Sequence, residues 1–241
     1  MQDQYARTRM LLGDDGVEKL KNATVAIFGL GGVGGYAAEA LARSGVGHLV
    51  LVDHDTVSLS NLNRQILATH STIGKYKIDV AAERIRDIDP AVKVRTYKTF
   101  FLPETADTFD FSEYDYVVDA IDTVAGKLEL IACAKAAGVP IISCMGTGNK
   151  LDPGALRVAD ISKTSGCALA RVMRKECAKR GLKGIKVVYS QEVPMTPEDT
   201  EELREERAGS SRRSTPGSVA FVPGTAGLLL AGEVVKDLSG M

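Results

Sequence analysis

Long hydrophobic runs are missing from this 241-residue chain. The longest uncharged apolar stretch, residues 219–232, falls short of the roughly 20 residues that cross a bilayer. The opening MQDQYARTRM also lacks the apolar core of a secretory leader. These absences point to a soluble, cytoplasmic protein without a membrane partner. No one sign of charge dominates either: 30 Lys and Arg stand against 31 Asp and Glu, a net charge of -1. No global field therefore draws the chain to nucleic acid, and an anionic partner needs a local patch. Four cysteines, Cys133, Cys144, Cys167 and Cys177, form no C-x-x-C pair and show no metal-ligand spacing. A core of this size needs no disulfide staples, so reduced thiols are expected. His48, His54 and His70 show no metal spacing.

What is present is alternation. Short Val- and Ile-rich runs, TVAIF (24–28), HLVLV (48–52), KVRTY (93–97), DYVVDA (115–120) and PIISC (140–144), are separated by segments of helical period. This is the pattern of a parallel sheet covered by helices, with most strands buried on both faces. Ala37, Ala38, Leu41 and Ala42 form a small-residue face that ends at Gly45, and Ile78, Ala81, Ala82, Ile85 and Ile88 mark a second core-facing helix. Beyond Lys150 the pattern changes to ALRVADI, a basic helix near 167–180, KVVYS, a polar stretch, VAFV and an apolar helix near 224–237. The expectation is one α/β domain over 1–241, with antiparallel strands extending a Rossmann-type, doubly wound, mostly parallel sheet. Residues 194–216 combine a charge run with Gly, Ser and Pro, and read as a mobile loop.

The chemistry starts at Gly29-Leu-Gly31-Gly32-Val-Gly34, which follows a strand and opens a helix. Backbone N–H groups there can face phosphates, and absent side chains permit close approach. Asp53, 24 residues after Gly29, ends the next strand where an acidic side chain can hold a ribose. Both features fit NAD as well as ATP. The cluster Asn61, Asn63, Arg64 and Gln65 favours ATP, because nucleotidyl transfer needs preorganised cations and donors around phosphates, whereas hydride transfer does not. Lys77 starts a helix, an unfavourable place for a cation unless polyphosphate is bound. Asp122, just beyond DYVVDA, stands at the sheet's carboxyl edge, where a magnesium ion bridging phosphates can be held. Asp119, nearer the strand body, is a weaker candidate.

G-x-G-G-x-G, D-x-D-x-V-x-x-S-N-L-N-R-Q, G-K-Y-K and D-A-I-D-T together resemble the ThiF, MoeB and HesA family of carboxylate-adenylating enzymes. The motifs lie within about the first 150 residues. The resemblance implies ATP as the nucleotide, Asp53 on its ribose, Asn61, Arg64 and Lys77 around the phosphates and Asp122 on Mg2+. It also implies a homodimer in which Arg7 reaches into the neighbouring subunit's site. Residues 1–150 then form the ATP-binding half, and 151–241 the substrate-binding half.

The second half separates branches of that family. Sulfur-carrier activators usually hold zinc through two C-x-x-C pairs, which are lacking here, so no structural zinc is expected. GTGNKLDPGALRVADISKTSG, KVVYS and RRSTPGSVAFVPG resemble instead the branch that dehydrates threonylcarbamoyladenosine in tRNA. Between Lys163 and Lys186 eight cations face Glu176 alone, a patch suited to an RNA backbone. Arg171, Arg174 and Lys175 share a helical face, and Arg212 and Arg213 lie in the expected loop. The implied reaction adenylates the threonyl carboxylate; a neighbouring atom of the same modification then displaces AMP and closes a ring. Intramolecular attack needs no covalent enzyme nucleophile. Cys133 and Cys144 read as packing residues, whereas Cys167 and Cys177 lie among cations able to lower a thiol pKa. A cysteine-desulfurase or sulfur-acceptor partner is left open. The competing functions are adenylation of a ubiquitin-like carrier's terminal glycine, an NAD-dependent oxidoreductase, and a non-catalytic RNA-binding or sulfur-relay scaffold.

Overall fold

A computed structural model describes residues 3–198 and 216–241. In chain order the elements among the described residues are α1 (Ala6–Asn22), β1 (Thr24–Phe28), α2 (Gly34–Ser44), β2 (His48–Val52), α3 (Lys77–Ile88), β3 (Lys93–Tyr97), β4 (Tyr116–Asp119), α4 (Val124–Ala136), β5 (Ile141–Cys144), β6 (Leu156–Asp160), α5 (Ala168–Lys179), β7 (Lys186–Ser190) and α6 (Phe221–Ser239). The strand order is β3-β2-β1-β4-β5-β7-β6. Every pairing is parallel except β6 with β7. The C-terminal half thus adds one antiparallel strand, while KVVYS continues the parallel sheet beside β5.

Alternation along β1 shows how two cores arise from one sheet. Val25 and Ile27 pack with Leu41 of α2, Ile78 of α3 and Leu230 of α6. Ala26 and Phe28 point the other way, towards Leu130 of α4 and Ala170 of α5. Phe28 meets Phe101 edge-on with ring centroids 5.0 Å apart, and it also packs on Phe109 and Phe111. Period-two side chains in a sheet covered on both faces produce this near-continuous apolar pattern.

Three expectations change. β3 is an edge strand with Lys93, Arg95 and Thr96 exposed, because only β2 pairs with it. VAFV enters the start of α6 instead of the sheet. The N-terminal helix α1 is additional: Gly13, at φ 71 and ψ 174, breaks it, and its apolar pattern is too sparse to announce it. The expected loop at 194–216 falls largely outside the described residues.

Asp119 is buried on β4. It accepts hydrogen bonds from Lys127 Nζ at 3.0 Å, from Ser143 Oγ at 2.5 Å and from the Ile121 N–H at 3.2 Å. Lys127 is itself only 1% exposed. The pair ties α4 and β5 to the turn that carries Asp122, so it is a structural ion pair. Removing one partner strands the other charge in the core. Lys127→Met is expected to lower stability by about 3–5 kcal/mol in urea unfolding, with part recovered in the Asp119→Asn/Lys127→Met double variant.

Candidate active site

β1 leads to β2 on one side, while β4 lies on its other side, so the carboxyl ends of β1 and β4 open a crevice at the reversal of strand order. The glycine loop fills its mouth. Gly29 adopts φ 89, and a Cβ there would approach the Ala120 carbonyl oxygen to 2.8 Å. A Cβ at Gly34 would stand 1.8 Å from the Gly29 carbonyl oxygen. No side chain caps the N-terminus of α2. The Gly35 N–H there bonds the Gly31 carbonyl at 3.1 Å, which closes the loop on itself, and the positive end of the helix dipole favours an anion at this terminus.

Asp53 sits beside this loop. One carboxylate oxygen accepts the Leu30 N–H at 2.6 Å, and the other accepts the Asp55 N–H at 2.8 Å. A carboxylate has about four acceptor positions, so this bracing leaves two for ribose hydroxyls. Asn61 is buried, and its Oδ1 accepts the Ser58 N–H at 3.2 Å, closing the turn that presents Arg64. Arg64 lays its Cγ 3.5 Å from the position a Gly32 Cβ would take. Its guanidinium donates to Ser60 O at 2.8 Å and to Asn63 Oδ1 at 2.9 Å. Gln65, 7% exposed, places Nε2 3.9 Å from the corresponding point at Gly31, and its buried Oε1 has no partner among the described residues. A buried polar atom without a partner is costly. Beside a glycine cradle, it suits a ligand with donor groups.

Lys77 is buried rather than solvated. Its N–H bonds Asp55 O at 3.0 Å, and its ammonium pairs with Asp55 Oδ2 at 2.7 Å. The Asp53–Asp55 turn therefore carries both the ribose candidate and the counter-ion of the phosphate candidate. The signal for Asp55 in the sequence is its place in D-H-D beside Asp53; its pairing with Lys77, 22 residues on, is a tertiary contact. His54 contacts Asp55 at 3.1 Å and stacks edge-on against Phe100. Asp122 is exposed on the turn between β4 and α4, held there by Asp119.

Arg7 does not join this group within its own chain. Two residues earlier, Tyr5 is buried against Gly45, and its hydroxyl bonds Asp89 Oδ2 at 2.5 Å, which anchors the segment near the far ends of α2 and α3. Arg7 is exposed on the same helix as Met10 and Leu11, 84% and 80% exposed. On α5, Arg171 and Lys175 are exposed, but Arg174 donates to both oxygen atoms of Thr164, each at 2.7 Å. Lys179 and Arg180 pair with Glu176. Arg212 and Arg213 lie outside the described residues. Burial pushes the Cys177 thiol up despite its cationic neighbours, while Cys133 and Cys144 are pushed up to about 11 and about 12, again chiefly by burial. Cys167 is buried as the N-cap of α5. None of the three shifted thiols has the lowered pKa of an activated nucleophile.

The glycines differ in what they tolerate. Gly32→Ala meets ordinary contacts and is expected to fold while losing ATP-induced thermal stabilisation. Gly34→Ala collides with backbone and is expected to lower the melting temperature of the unliganded protein. Equal melting temperatures would contradict the assigned close approach.

The ThiF family model matches residues 5–241. The chain is 43% identical over 244 residues to the tRNA threonylcarbamoyladenosine dehydratase of Bacillus subtilis, covering 99% of this chain and 95% of that protein. It is similar in fold to the crystal structure of the Escherichia coli tRNA N6-threonylcarbamoyladenosine dehydratase in complex with ATP, with a TM-score of 0.87, 32% identity, and coverage of 98% of this chain and 94% of that one. Similarity to the E. coli molybdopterin-synthase adenylyltransferase is 41% over 142 residues, which is 58% of this chain and 57% of that protein. A glycine cradle, a braced acidic turn and a family match over nearly the whole length lead to one assignment: the chain belongs to the ThiF family.

Proposed function

We propose that this protein is an ATP-dependent tRNA threonylcarbamoyladenosine dehydratase, which closes a ring within the modification by way of an acyl-adenylate. The observation that carries the reading is similarity to a dehydratase that continues through the second half, whereas the adenylyltransferase match is limited to 142 residues; the glycine loop beside Asp53 supports it. Residues 1–150 form the nucleotide half and 151–241 the substrate half. A tRNA substrate implies a cytoplasmic location. Among the described residues no helix is long and apolar enough to cross a membrane.

In this mechanism the α2 N-terminus and Gly31–Gly32 backbone receive the phosphates, with Gln65 alongside and Asp53 on the ribose. Arg64 and Lys77 neutralise charge that builds on the α-phosphate and departing pyrophosphate. Asp122 would hold Mg2+ together with the phosphates, as this hard ion prefers one or two carboxylates and substrate oxygens. The ion supplies further charge neutralisation when bound. A threonyl carboxylate oxygen bonds the α-phosphorus as the bond to pyrophosphate breaks. An atom of the same modification then attacks the acyl carbon and loses its proton, and AMP leaves with the carboxylate oxygen. The nucleoside has lost one water. Ring closure by an atom of the same modification needs no covalent enzyme nucleophile, and a cysteine-desulfurase or sulfur-acceptor partner has no part in this step. Arg171 and Lys175 supply the exposed phosphate contacts for RNA, with Arg174 bracing Thr164; Arg212 and Arg213 are further candidates from sequence.

The test combines magnesium-ATP with tRNA bearing threonylcarbamoyladenosine, and measures AMP release and nucleoside mass. AMP and a product lighter by one water are expected. Turnover with a ubiquitin-like tail but not with this tRNA would overturn the substrate. Arg64→Ala and Lys77→Ala are expected to abolish AMP release without unfolding the protein. A homodimer with Arg7 acting across subunits predicts complementation: an equal, re-equilibrated mixture of inactive Arg7→Ala and Lys77→Ala chains regains roughly a quarter of the intact sites. No recovery from a freely exchanging mixture would place Arg7 outside the partner's site.

A further inference from the structure

Lys150 is a buried cation that the scheme above does not use. It is 3% exposed in the loop after β5, and its Nζ donates to the Gly146 carbonyl at 2.8 Å. An ammonium brings three donors and loses more hydration on burial than a neutral carbonyl returns. Among the described residues no carboxylate lies within ion-pair distance of it. Glu192, which shares its field, has both oxygens engaged by the N–H groups of Leu151 and Asp152, each at 2.9 Å. These bonds, before Lys150, hold the Glu192 carboxyl below its usual range.

The preceding residue shows how the lysine is turned inward. Asn149, at φ 59, is the one non-glycine residue with positive φ among the described residues. Such a conformation persists only where neighbours over-determine it. Three bonds do so: Asn149 N–H donates to Gly217 O at 2.8 Å, its Oδ1 accepts the Gly217 N–H at 2.6 Å, and its carbonyl accepts the Met195 N–H at 2.7 Å. The next residue, Ser218, accepts a bond from Asn63 Nδ2 at 3.0 Å through its carbonyl. Consecutive Cα atoms are about 3.8 Å apart, so the loop of Lys150 and the turn of Arg64 are fastened to adjoining residues. On the other side, Ser143 of β5 bonds Asp119, the residue that braces the Asp122 turn. The loop that carries Lys150 is thus tied to the Arg64 turn at one end, and the strand that feeds it to the Asp122 turn at the other.

We infer that Lys150 receives the carboxylate of the substrate, the group destined for adenylation; this rests on the carboxylate-adenylating reading above. A carboxylate and the α-phosphate of ATP repel one another, and a compact point charge on the approach side offsets that repulsion while holding the nucleophile in place. The same charge discriminates against a neutral amide or ester in that position. Once the carboxylate oxygen is bonded to the α-phosphorus and pyrophosphate has left, the carboxylate charge is gone and the contact weakens, so the residue binds substrate without holding the intermediate.

Lys150→Met and Lys150→Gln test this, with AMP release followed against the concentration of tRNA bearing threonylcarbamoyladenosine. ATP affinity is measured by calorimetry without tRNA, and folding by thermal melting. The KM for the tRNA is expected to rise about tenfold or more, with the ATP Kd within about twofold of wild type. An unchanged KM in a folded variant overturns the inference, as does an equal loss of ATP affinity, which would make Lys150 a phosphate or scaffold residue. If Lys150→Met unfolds, Lys150→Gln, which keeps a donor for Gly146, carries the comparison; unfolding of both assigns Lys150 to the core. A wild-type enzyme that releases no AMP with this tRNA defeats the substrate reading itself, and the role of Lys150 with it.

Discussion

The close approach of α2 to the end of β1 is the constraint on which the site depends. Only hydrogen atoms at Gly29 and Gly34 allow the helix start to lie over the strand end, where a Cβ at Gly34 would be 1.8 Å from a backbone oxygen. That approach sets the N-terminus of α2, with its dipole, at the crevice between β1 and β4. It also brings Leu30 to within hydrogen-bond reach of Asp53, at 2.6 Å, so the phosphate loop and the ribose-side turn form one unit. Moving either would move both.

Charge is then distributed by pairing. Lys77 is buried but never isolated, since Asp55 holds it at 2.7 Å, and the Asp55 backbone oxygen holds its N–H. Asp119 and Lys127 neutralise one another beneath the Asp122 turn. Preorganisation of this type removes the need to reorient water when charge moves onto pyrophosphate. Lys150 stands apart because its one partner among the described residues is a neutral carbonyl, and this asymmetry distinguishes residues that shape the site from one able to receive a charged substrate.

Much of this was legible in the sequence because it is local. TVAIF, HLVLV, KVRTY, DYVVDA and PIISC became β1 to β5, and the glycine loop, Asp53, Asn61, Arg64, Gln65, Lys77 and Asp122 all come from the carboxyl edge that such strands create. What escaped was set by contacts distant along the chain. Lys127 on Asp119 and Asn149 on Gly217 require tertiary placement, and the burial of Lys150 follows from the latter. The edge position of β3 depends on sheet order rather than on its own composition. Arg174 illustrates the reverse error: helical spacing put it on the Arg171 face, but Thr164 engages its guanidinium. Local charge also overstated the activation of Cys177, whose burial outweighs the field of Arg180.

The central claim is that the substrate carboxylate attacks the α-phosphate of ATP at this site. Its most direct test uses tRNA whose threonyl carboxylate carries oxygen-18, with mass analysis of the released nucleotide. The account predicts one labelled oxygen in AMP for each nucleoside dehydrated, and none in pyrophosphate. Unlabelled AMP, or label recovered in inorganic phosphate with release of ADP, would contradict adenylation as the activating step.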